Sequence, residues 1–204
     1  MNLELFAAQP RSNLLPYDGS VKDYGQILTE TDATAYLQYF LQQLAWQHDE
    51  VILYGKHIRT SRMIAWYGDK KFEYRYSGIT RKGHIWDDRL WKLKQYIEKL
   101  TGQQFNSCLA NLYQDGSQGM GWHSDDEKTL GQNPVIASVS LGATRKFCFR
   151  HKTQNDKIEV LLQHGQLLLR RDETQHFWKH ALMKSTRVQE PRINLTFRYF
   201  WPEG

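Results

Sequence analysis

Two segments of the chain repeat apolar residues at the spacing of an α-helix. The first follows a helix cap at Thr31–Asp32, and its apolar positions are Leu37, Phe40, Leu41 and Leu44. The second runs from about Trp86 to a stop at Gly102, and its apolar positions are Leu90, Leu93, Ile97 and Leu100. We therefore predict two amphipathic helices in the first half of the chain, with their apolar stripes packed on the core.

Short runs rich in β-branched and aromatic residues fill most of the remaining sequence. Between the helices they are VILYGKHI, RMIAWYG and FEYRYSG, and beyond them FNSCLANLY, VIASVSLG, RKFCFRH, IEVLLQHGQLLLR and RINLTFRYFW. This order indicates a β-rich α+β fold, a double-stranded β-helix of the jelly-roll or cupin kind with both helices packed on one outer face. We expect one domain over residues 1–204, of which residues 1–20 form an irregular N-terminal extension.

The run RINLTFR alternates apolar and polar residues. As a strand it places Ile193, Leu195 and Phe197 on one face and Arg192, Asn194, Thr196 and Arg198 on the other. A strand whose polar face meets solvent is one explanation. If helices cover the apolar face, however, the arginines point into the barrel, where a buried guanidinium needs an anionic partner.

Charge and cysteine content narrow the class of protein. The chain has 27 basic and 22 acidic residues, so its net charge is +5, and nucleic acid is a plausible partner. The same charge could equally serve solubility alone. Cys108 and Cys148 match no metal-ribbon or redox spacing, which indicates reduced thiols. Because the sequence shows no signal peptide and no long apolar run, we expect a soluble protein that is not secreted.

Histidine and aspartate residues suggest a metal site. In GMGWHSDDE, His123 and Asp125 share a face of an extended segment, and QHFWKHAL supplies His176 and His180, which we expect on one strand face. Two histidines and one carboxylate form the facial triad of non-haem Fe(II) oxygenases, which leaves coordination positions for a co-substrate and dioxygen. A following arginine would suit the far carboxylate of a dicarboxylate co-substrate.

Together these motifs resemble those of a known family. NLYQDG, GWHSDDE, VIASVSLGATRKFCFRHK, HGQLLL, HFWKH and PRINLTFR are similar to the AlkB family of 2-oxoglutarate- and Fe(II)-dependent dioxygenases, over about Val51 to Arg198. The earlier LYGK and YGDKKFEYRYSG resemble the branch of that family that acts on duplex DNA.

The resemblance implies a metal site and a co-substrate site. The iron ligands would be His123, Asp125 and His180, with His176 in the cavity wall. The residues around 2-oxoglutarate would be Asn111, Tyr113, Arg192, Asn194, Thr196 and Arg198. Arg192 would hold the distal carboxylate, and Glu127 would pair with Arg198 and fix its guanidinium.

The resemblance also implies a site for a flipped base. Tyr74, Arg75 and Tyr76 would contact the base, with Tyr76 stacked opposite His123, and Asp126 could be the carboxylate that favours a cationic lesion. In the hairpin formed by Tyr54, Gly55 and Lys56, the tyrosine would fill the gap left in the duplex and the lysine would contact phosphate.

The implied function is oxidative demethylation of bases such as 1-methyladenine and 3-methylcytosine in DNA. The reaction would use Fe(II), consume O2 and 2-oxoglutarate, and release succinate, CO2 and formaldehyde. RNA or single-stranded nucleic acid is an alternative substrate, and a cupin-like module that binds metal and nucleic acid without turnover is a further alternative. We expect a monomer without membrane association, cytoplasmic in a bacterium or nuclear in a eukaryote.

Overall fold

The computed structural model describes residues 12–53, 56–70, 72–76 and 79–201. For 51–53, 56–57, 72–76 and 79–81 it describes the backbone alone. Within these residues the helices are α1 (Glu30–Gln43), α2 (Asp88–Thr101) and α3 (Thr174–Phe177), with a short 3₁₀ turn at Lys128–Leu130. The strands are β1 (Ser20–Gln26), β2 (Gln47–Leu53), β3 (Lys56–Gly68), β4 (Phe72–Tyr76), β5 (Ile79–Ile85), β6 (Ser107–Tyr113), β7 (Met120–His123), β8 (Ile136–Gly142), β9 (Arg145–His151), β10 (Lys157–Leu162), β11 (Gln166–Arg171), β12 (Trp178–Leu182) and β13 (Arg192–Arg198).

The described strands form two sheets. The larger has the order β1-β11-β8-β13-β6-β3-β5-β4, with β2 paired to β3, and the smaller has the order β10-β9-β12-β7. An apolar cluster joins the sheets, because Val21 and Leu168 of the larger pack with Phe149 and Trp178 of the smaller. The predicted β-rich double-sheet fold is confirmed.

Both long helices pack on the outer face of the larger sheet, as predicted. Phe40 of α1 and Leu93 of α2 belong to one apolar cluster with Ile193, Leu195 and Phe197 of β13. Since successive side chains of a strand point to opposite faces, this packing turns the polar side chains of β13 toward the smaller sheet. The explanation of β13 as a solvent-facing strand is therefore excluded.

The helix ends differ slightly from the prediction. The cap of α1 is Thr29, whose Oγ1 accepts a hydrogen bond from the backbone N–H of Asp32 at 3.1 Å, so the helix begins before the predicted cap. The cap of α2 is Asp87, and its predicted stop at Gly102 is confirmed, with φ +68° in the left-handed region. No helix in the described ranges is both long and apolar enough to cross a membrane.

Three elements were not foreseen. Strand β1 was not predicted, and its buried Asp23 interrupts the apolar pattern; the carboxylate accepts a hydrogen bond from Gln166 Nε2 at 2.9 Å. The run IEVLLQHGQLLLR is two strands in different sheets, separated by a turn at Gly165, where φ is +76°. The short helix α3 interrupts the predicted strand around His176.

Candidate metal centre and co-substrate pocket

A cavity of about 1020 Å³, its open mouth included, lies between the two sheets. Its walls come from both sheets and from the β2–β3 pair; the larger sheet supplies most of the polar side chains, including Asn111, Ser138, Arg170, Arg192, Asn194, Thr196 and Arg198. The smaller sheet supplies His123, Phe147, His180 and Leu182.

The three predicted metal ligands lie together in this cavity. His123 and His180 are register partners on β7 and β12, and Asp125 follows β7 by two residues. His123 Nε2 is 3.8 Å from Asp125 Oδ1, and His180 Nε2 is 3.6 Å from Asp125 Oδ2. One ligand atom from each residue lies within 4.8 Å of the other two, which is close enough for a single metal ion to bind all three.

Neighbouring elements fix the positions of these ligands. The backbone N–H of Asp125 donates to Gln175 Oε1 of α3 at 2.9 Å, so the unforeseen helix holds the metal-ligating segment. His123 Nδ1 lies 2.8 Å from the carbonyl oxygen of Gly121, which can only accept a hydrogen bond. The proton of His123 therefore sits on Nδ1, and Nε2 offers its lone pair to the cluster.

Arg145 holds the loop that precedes β7. Its guanidinium is buried and donates to the backbone carbonyls of Asp115 at 3.0 Å, Gln118 at 2.6 Å and Met183 at 2.8 Å. Two of these carbonyls belong to the loop before β7, and the third belongs to the residue just after β12. One side chain therefore links these two segments. The geometry of His123 depends on this contact.

The protonation states of the ligands suit a divalent metal. Burial would raise the pKa of Asp125, but Arg198 and Arg170 outweigh burial and hold this pKa well below its usual range. Burial lowers the pKa of His180 and of His123, so both imidazoles are neutral near pH 7. An ionised carboxylate and two neutral imidazoles are the forms that bind a metal, so the donor set fits Fe(II).

A buried arginine that pairs with no carboxylate among the described residues occupies the far end of the cavity. Arg192 Nη2 donates to Ser140 Oγ at 3.0 Å and Asn194 Oδ1 at 3.2 Å, and its buried Nε has no hydrogen-bond partner among the described residues. Burial lowers the pKa of Arg192 to about 10, which still leaves it cationic near pH 7. A buried cation bonded to neutral groups fits a site for the carboxylate of a ligand such as 2-oxoglutarate.

The neighbouring strands carry the other predicted co-substrate residues. Asn111 and Tyr113 of β6 are the register partners of Asn194 and Arg192 on β13. Asn194 Nδ2 also donates to Thr196 Oγ1 at 2.7 Å. The predicted set thus lies on one wall of one cavity, beside the metal ligands.

The sequence profile of the 2OG-Fe(II) oxygenase superfamily matches residues 22–198. The chain belongs to this superfamily. The match confirms the predicted Fe(II) and 2-oxoglutarate, which the family name specifies, and the O2 that an oxygenase uses.

Individual relatives place this oxygenase near the AlkB homologues, as predicted. It is 38% identical over 182 residues to the alpha-ketoglutarate-dependent dioxygenase alkB homolog 3 of Bos taurus, an alignment covering 84% of this chain and 63% of that protein. It is 40% identical over 174 residues to the DNA oxidative demethylase ALKBH2 of Mus musculus, covering 81% of this chain and 71% of that protein. The oxygenase thus spans less than two thirds of the first relative's length. The solved structure of OsALKBH1 shares the fold, with a TM-score of 0.64, 17% identity and coverage of 90% of this chain and 99% of that one.

One residue that contacts the oxygenase's metal ligands was missed from the sequence, and one predicted cavity residue was misplaced. Arg170 of β11 is buried, and its Nη1 lies 2.9 Å from both Asp125 Oδ2 and His180 Nε2. In LLLRR it looked like the polar end of a core strand, and only its alternation with Leu168 could have suggested that it points inward. His176 was wrongly placed on a strand face in the cavity wall: it lies exposed on α3, where its ring packs edge-on against Phe177 at 4.6 Å between centroids.

Two predicted acidic residues have different outcomes. Glu127 lines the cavity, and burial raises its pKa while nearby Arg198 lowers it; the fixing of Arg198 by Glu127 stays a prediction. Asp126 does not line the cavity: its side chain is 65% exposed, and its carboxylate lies 3.8 Å from Lys152 Nζ. Successive side chains of an extended segment point to opposite faces, so Asp126 points outward where Asp125 points inward.

A different carboxylate lines the cavity on the β2–β3 side. Asp49 is 3% exposed and pairs with Arg62 Nη2 at 2.5 Å, while Arg62 Nη1 lies 2.8 Å from Met120 Sδ. Sequence reasoning missed both residues because the polar run around Asp49 showed no alternation. They form an ion pair that lines the same cavity as His123.

The other predicted substrate contacts stay predictions. Tyr54 and Gly55 lie outside the described residues. Lys56 begins β3, and Tyr74, Arg75 and Tyr76 belong to β4, but only the backbone of these residues is described.

Proposed function

We propose that this oxygenase is an oxidative demethylase of N-alkylated bases, of the 1-methyladenine and 3-methylcytosine type, in DNA. The observation that carries the proposal is the His123–Asp125–His180 cluster in one cavity with the buried cation Arg192. Similarity to the DNA oxidative demethylase ALKBH2 of Mus musculus supports the substrate class.

Bound Fe(II), with 2-oxoglutarate and O2, supplies oxidation of the N-methyl group to a hydroxymethyl that leaves as formaldehyde, while 2-oxoglutarate becomes succinate and CO2. The chain's own residues bind and orient. Arg192 holds the far carboxylate of 2-oxoglutarate, so that its keto-acid end points toward His123, Asp125 and His180.

The opposite wall excludes water from the reacting end of the cavity. Phe147, Leu162, Leu168 and Leu182 line it with apolar surface. Lower water content strengthens the interactions of the buried charges with an anionic co-substrate. The same wall limits loss of oxidising equivalents to solvent.

Electrostatics support a lesion that carries a positive charge. N-methylation at the pairing edge gives 1-methyladenine and 3-methylcytosine a formal charge, whereas normal bases are neutral. In place of Asp126, we assign the recognition of this charge to Asp49, the buried carboxylate on the substrate side.

The outer face of the smaller sheet supports contact with a nucleic-acid backbone. Arg150 of β9 is exposed and lies 4.5 Å from the Trp122 ring, and its register partner Lys179 points to the same face. This face is the reverse of the one that carries His180, so phosphates bound here would lie across the sheet from the metal ligands. Cations beside an aromatic ring are typical of nucleic-acid-binding surfaces.

The assay that tests the function supplies Fe(II), 2-oxoglutarate, O2 and a 1-methyladenine oligonucleotide, and measures formaldehyde and repaired base. We expect one formaldehyde per repaired base, and none from the matched unmethylated oligonucleotide. DNA and RNA versions of one sequence separate the RNA alternative. Binding of the methylated strand without formaldehyde release would instead identify a non-catalytic binding module.

We further propose duplex DNA as the preferred substrate, with Tyr54 filling the gap left by the flipped base. Replacing lost stacking is worth roughly 1–3 kcal/mol per base. Tyr54→Ala should therefore lower turnover of methylated duplex by about one to two orders of magnitude and leave single-stranded turnover nearly unchanged. The measurement is initial rate on both substrates, with the melting temperature of the variant as control. Equal losses on both substrates would exclude a duplex-specific role.

We propose that the active form is a monomer, because residues of one chain line the whole described cavity. Light scattering of the active fraction should give a mass close to 24.2 kDa.

A further inference from the structure

Arg170 reaches the metal ligands from the same sheet as Arg198, on the other side of β8. On the larger sheet, Arg170 of β11 and Arg198 of β13 are both register partners of Ile136 on β8, so they flank the same level of the cavity. Arg170 is 3% exposed, and Arg198 is 7% exposed. Each contacts a different oxygen of Asp125: Arg170 Nη1 at 2.9 Å from Oδ2, and Arg198 Nη2 at 3.5 Å from Oδ1.

The Arg170 contact is different because the same atom touches a second ligand. Its Nη1 is 2.9 Å from Asp125 Oδ2 and lies over the His180 ring, 2.9 Å from Nε2 and 3.2 Å from Nδ1, while Nη2 donates to Ser138 Oγ at 3.3 Å. One N–H group thus faces two of the three atoms that would bind the metal. The guanidinium stands where positive charge is expected from the metal itself.

A guanidinium keeps its charge inside a protein, so proton loss cannot relieve a clash with a metal cation. Two arginines already share one carboxylate at this end of the cavity, and a divalent ion would add two further positive charges. Arg170 repels both positive charges of a divalent ion. In return it stabilises the ligands through only one hydrogen-bonded ion pair. Repulsion should therefore outweigh support.

We propose that Arg170 is an internal cation that competes with the metal for Asp125 and His180, and that 2-oxoglutarate relieves this competition. The co-substrate is a dianion, so its arrival restores negative charge to a cavity that holds three buried arginines. Metal and co-substrate then bind most strongly together. This inference rests on the metal site of the proposed function but not on its nucleic-acid substrate.

The test measures Mn(II) binding to the full chain after any bound metal has been removed. The electron paramagnetic resonance signal of free Mn(II) reports how much Mn(II) stays unbound. Without 2-oxoglutarate, Arg170→Met should bind Mn(II) at least about tenfold more tightly than the parent, because one nearby positive charge is gone. Arg170→Lys keeps the charge and should stay weaker than Arg170→Met. The matched control Arg171→Met removes the same charge at the adjacent, 37% exposed side chain and should change Mn(II) affinity less than about twofold.

Addition of 2-oxoglutarate gives the second readout. It should tighten Mn(II) binding strongly in the parent and by a clearly smaller factor in Arg170→Met. Equal or weaker Mn(II) binding by Arg170→Met would overturn the proposal and identify Arg170 as a support for the ligands. If Arg170→Met does not fold, Arg170→Gln removes the charge while keeping hydrogen bonds, and the same result is expected. Failure of every variant and the parent to bind Mn(II) would contradict the metal site itself.

Discussion

The two ends of the cavity hold buried arginines in opposite circumstances. At the metal end, Arg170 and Arg198 lie against Asp125, so the positive charges have a buried counter-charge. At the far end, Arg192 is bonded to the neutral side chains of Ser140 and Asn194. At the metal end the protein itself supplies the counter-charge of the arginines. At the far end the counter-charge of Arg192 comes from a bound anionic ligand. The same residue type therefore indicates competition for a metal at one end and reception of a ligand at the other.

The largest effect should follow from removing the counter-charge at the metal end. We expect Asp125→Ala to abolish formaldehyde release, because a metal donor is lost, as it is in His123→Ala and His180→Ala. Asp125→Ala should also lower the free energy of unfolding of the metal-free protein by roughly 3–5 kcal/mol, since two buried arginines lose the carboxylate that they share. Formaldehyde assays and urea unfolding measure the two effects.

The control for this prediction is His176→Ala, which removes an exposed histidine from α3 and should leave turnover intact. Loss of turnover in His176→Ala with turnover retained in His180→Ala would mean that the wrong histidine was assigned to the metal.

A smaller and different effect is expected at the far end. Arg192→Lys replaces a planar two-pronged donor by a point charge, and the lost hydrogen bond to a carboxylate is worth about 1.5–3 kcal/mol. The KM for 2-oxoglutarate should rise by roughly ten- to hundredfold, with kcat at saturation much less affected. Initial rates against 2-oxoglutarate concentration give both constants.

The comparison predicts a further contrast in stability. Arg192→Met removes a buried charge that has no carboxylate partner in the described part of the chain, so the ligand-free protein should melt no lower than the parent, unlike Asp125→Ala. Stabilisation by added 2-oxoglutarate should disappear in this variant. The exposed Arg187→Lys is the control and should change neither quantity. An unaltered KM in Arg192→Lys would contradict the assignment of the far end to the co-substrate.

The far end and the metal ligands were accessible from the sequence, and Arg170 at the metal end was not. The face of Arg192 and Arg198 followed from strand alternation once helices were expected on the other side, and that alternation is local. The role of Arg170 depends on a turn at Gly165 that moves β11 into the other sheet, and on a contact with a distant residue. His176 was misplaced because one helical turn interrupts the strand, and no proline or glycine in the sequence marks this interruption.

An exposed carboxylate provides the smallest effect and the sharpest contrast with Asp125. Glu159 also lies between two cations, with Lys146 Nζ at 2.8 Å and Lys157 Nζ at 2.7 Å, and these hydrogen bonds lower its pKa to about 2. A lowered pKa stabilises the fold above the carboxyl's ordinary pKa near 4.5, and this contribution is lost as the pH falls toward 2. Because water screens the exposed group, Glu159→Gln should shift the melting temperature by less than about 2 °C at pH 7, and the two curves should converge near pH 2. Thermal melts from pH 7 to pH 2 test this prediction. A change in melting temperature as large as that of Asp125→Ala would show that burial does not explain the larger contribution of the metal-end charges to stability.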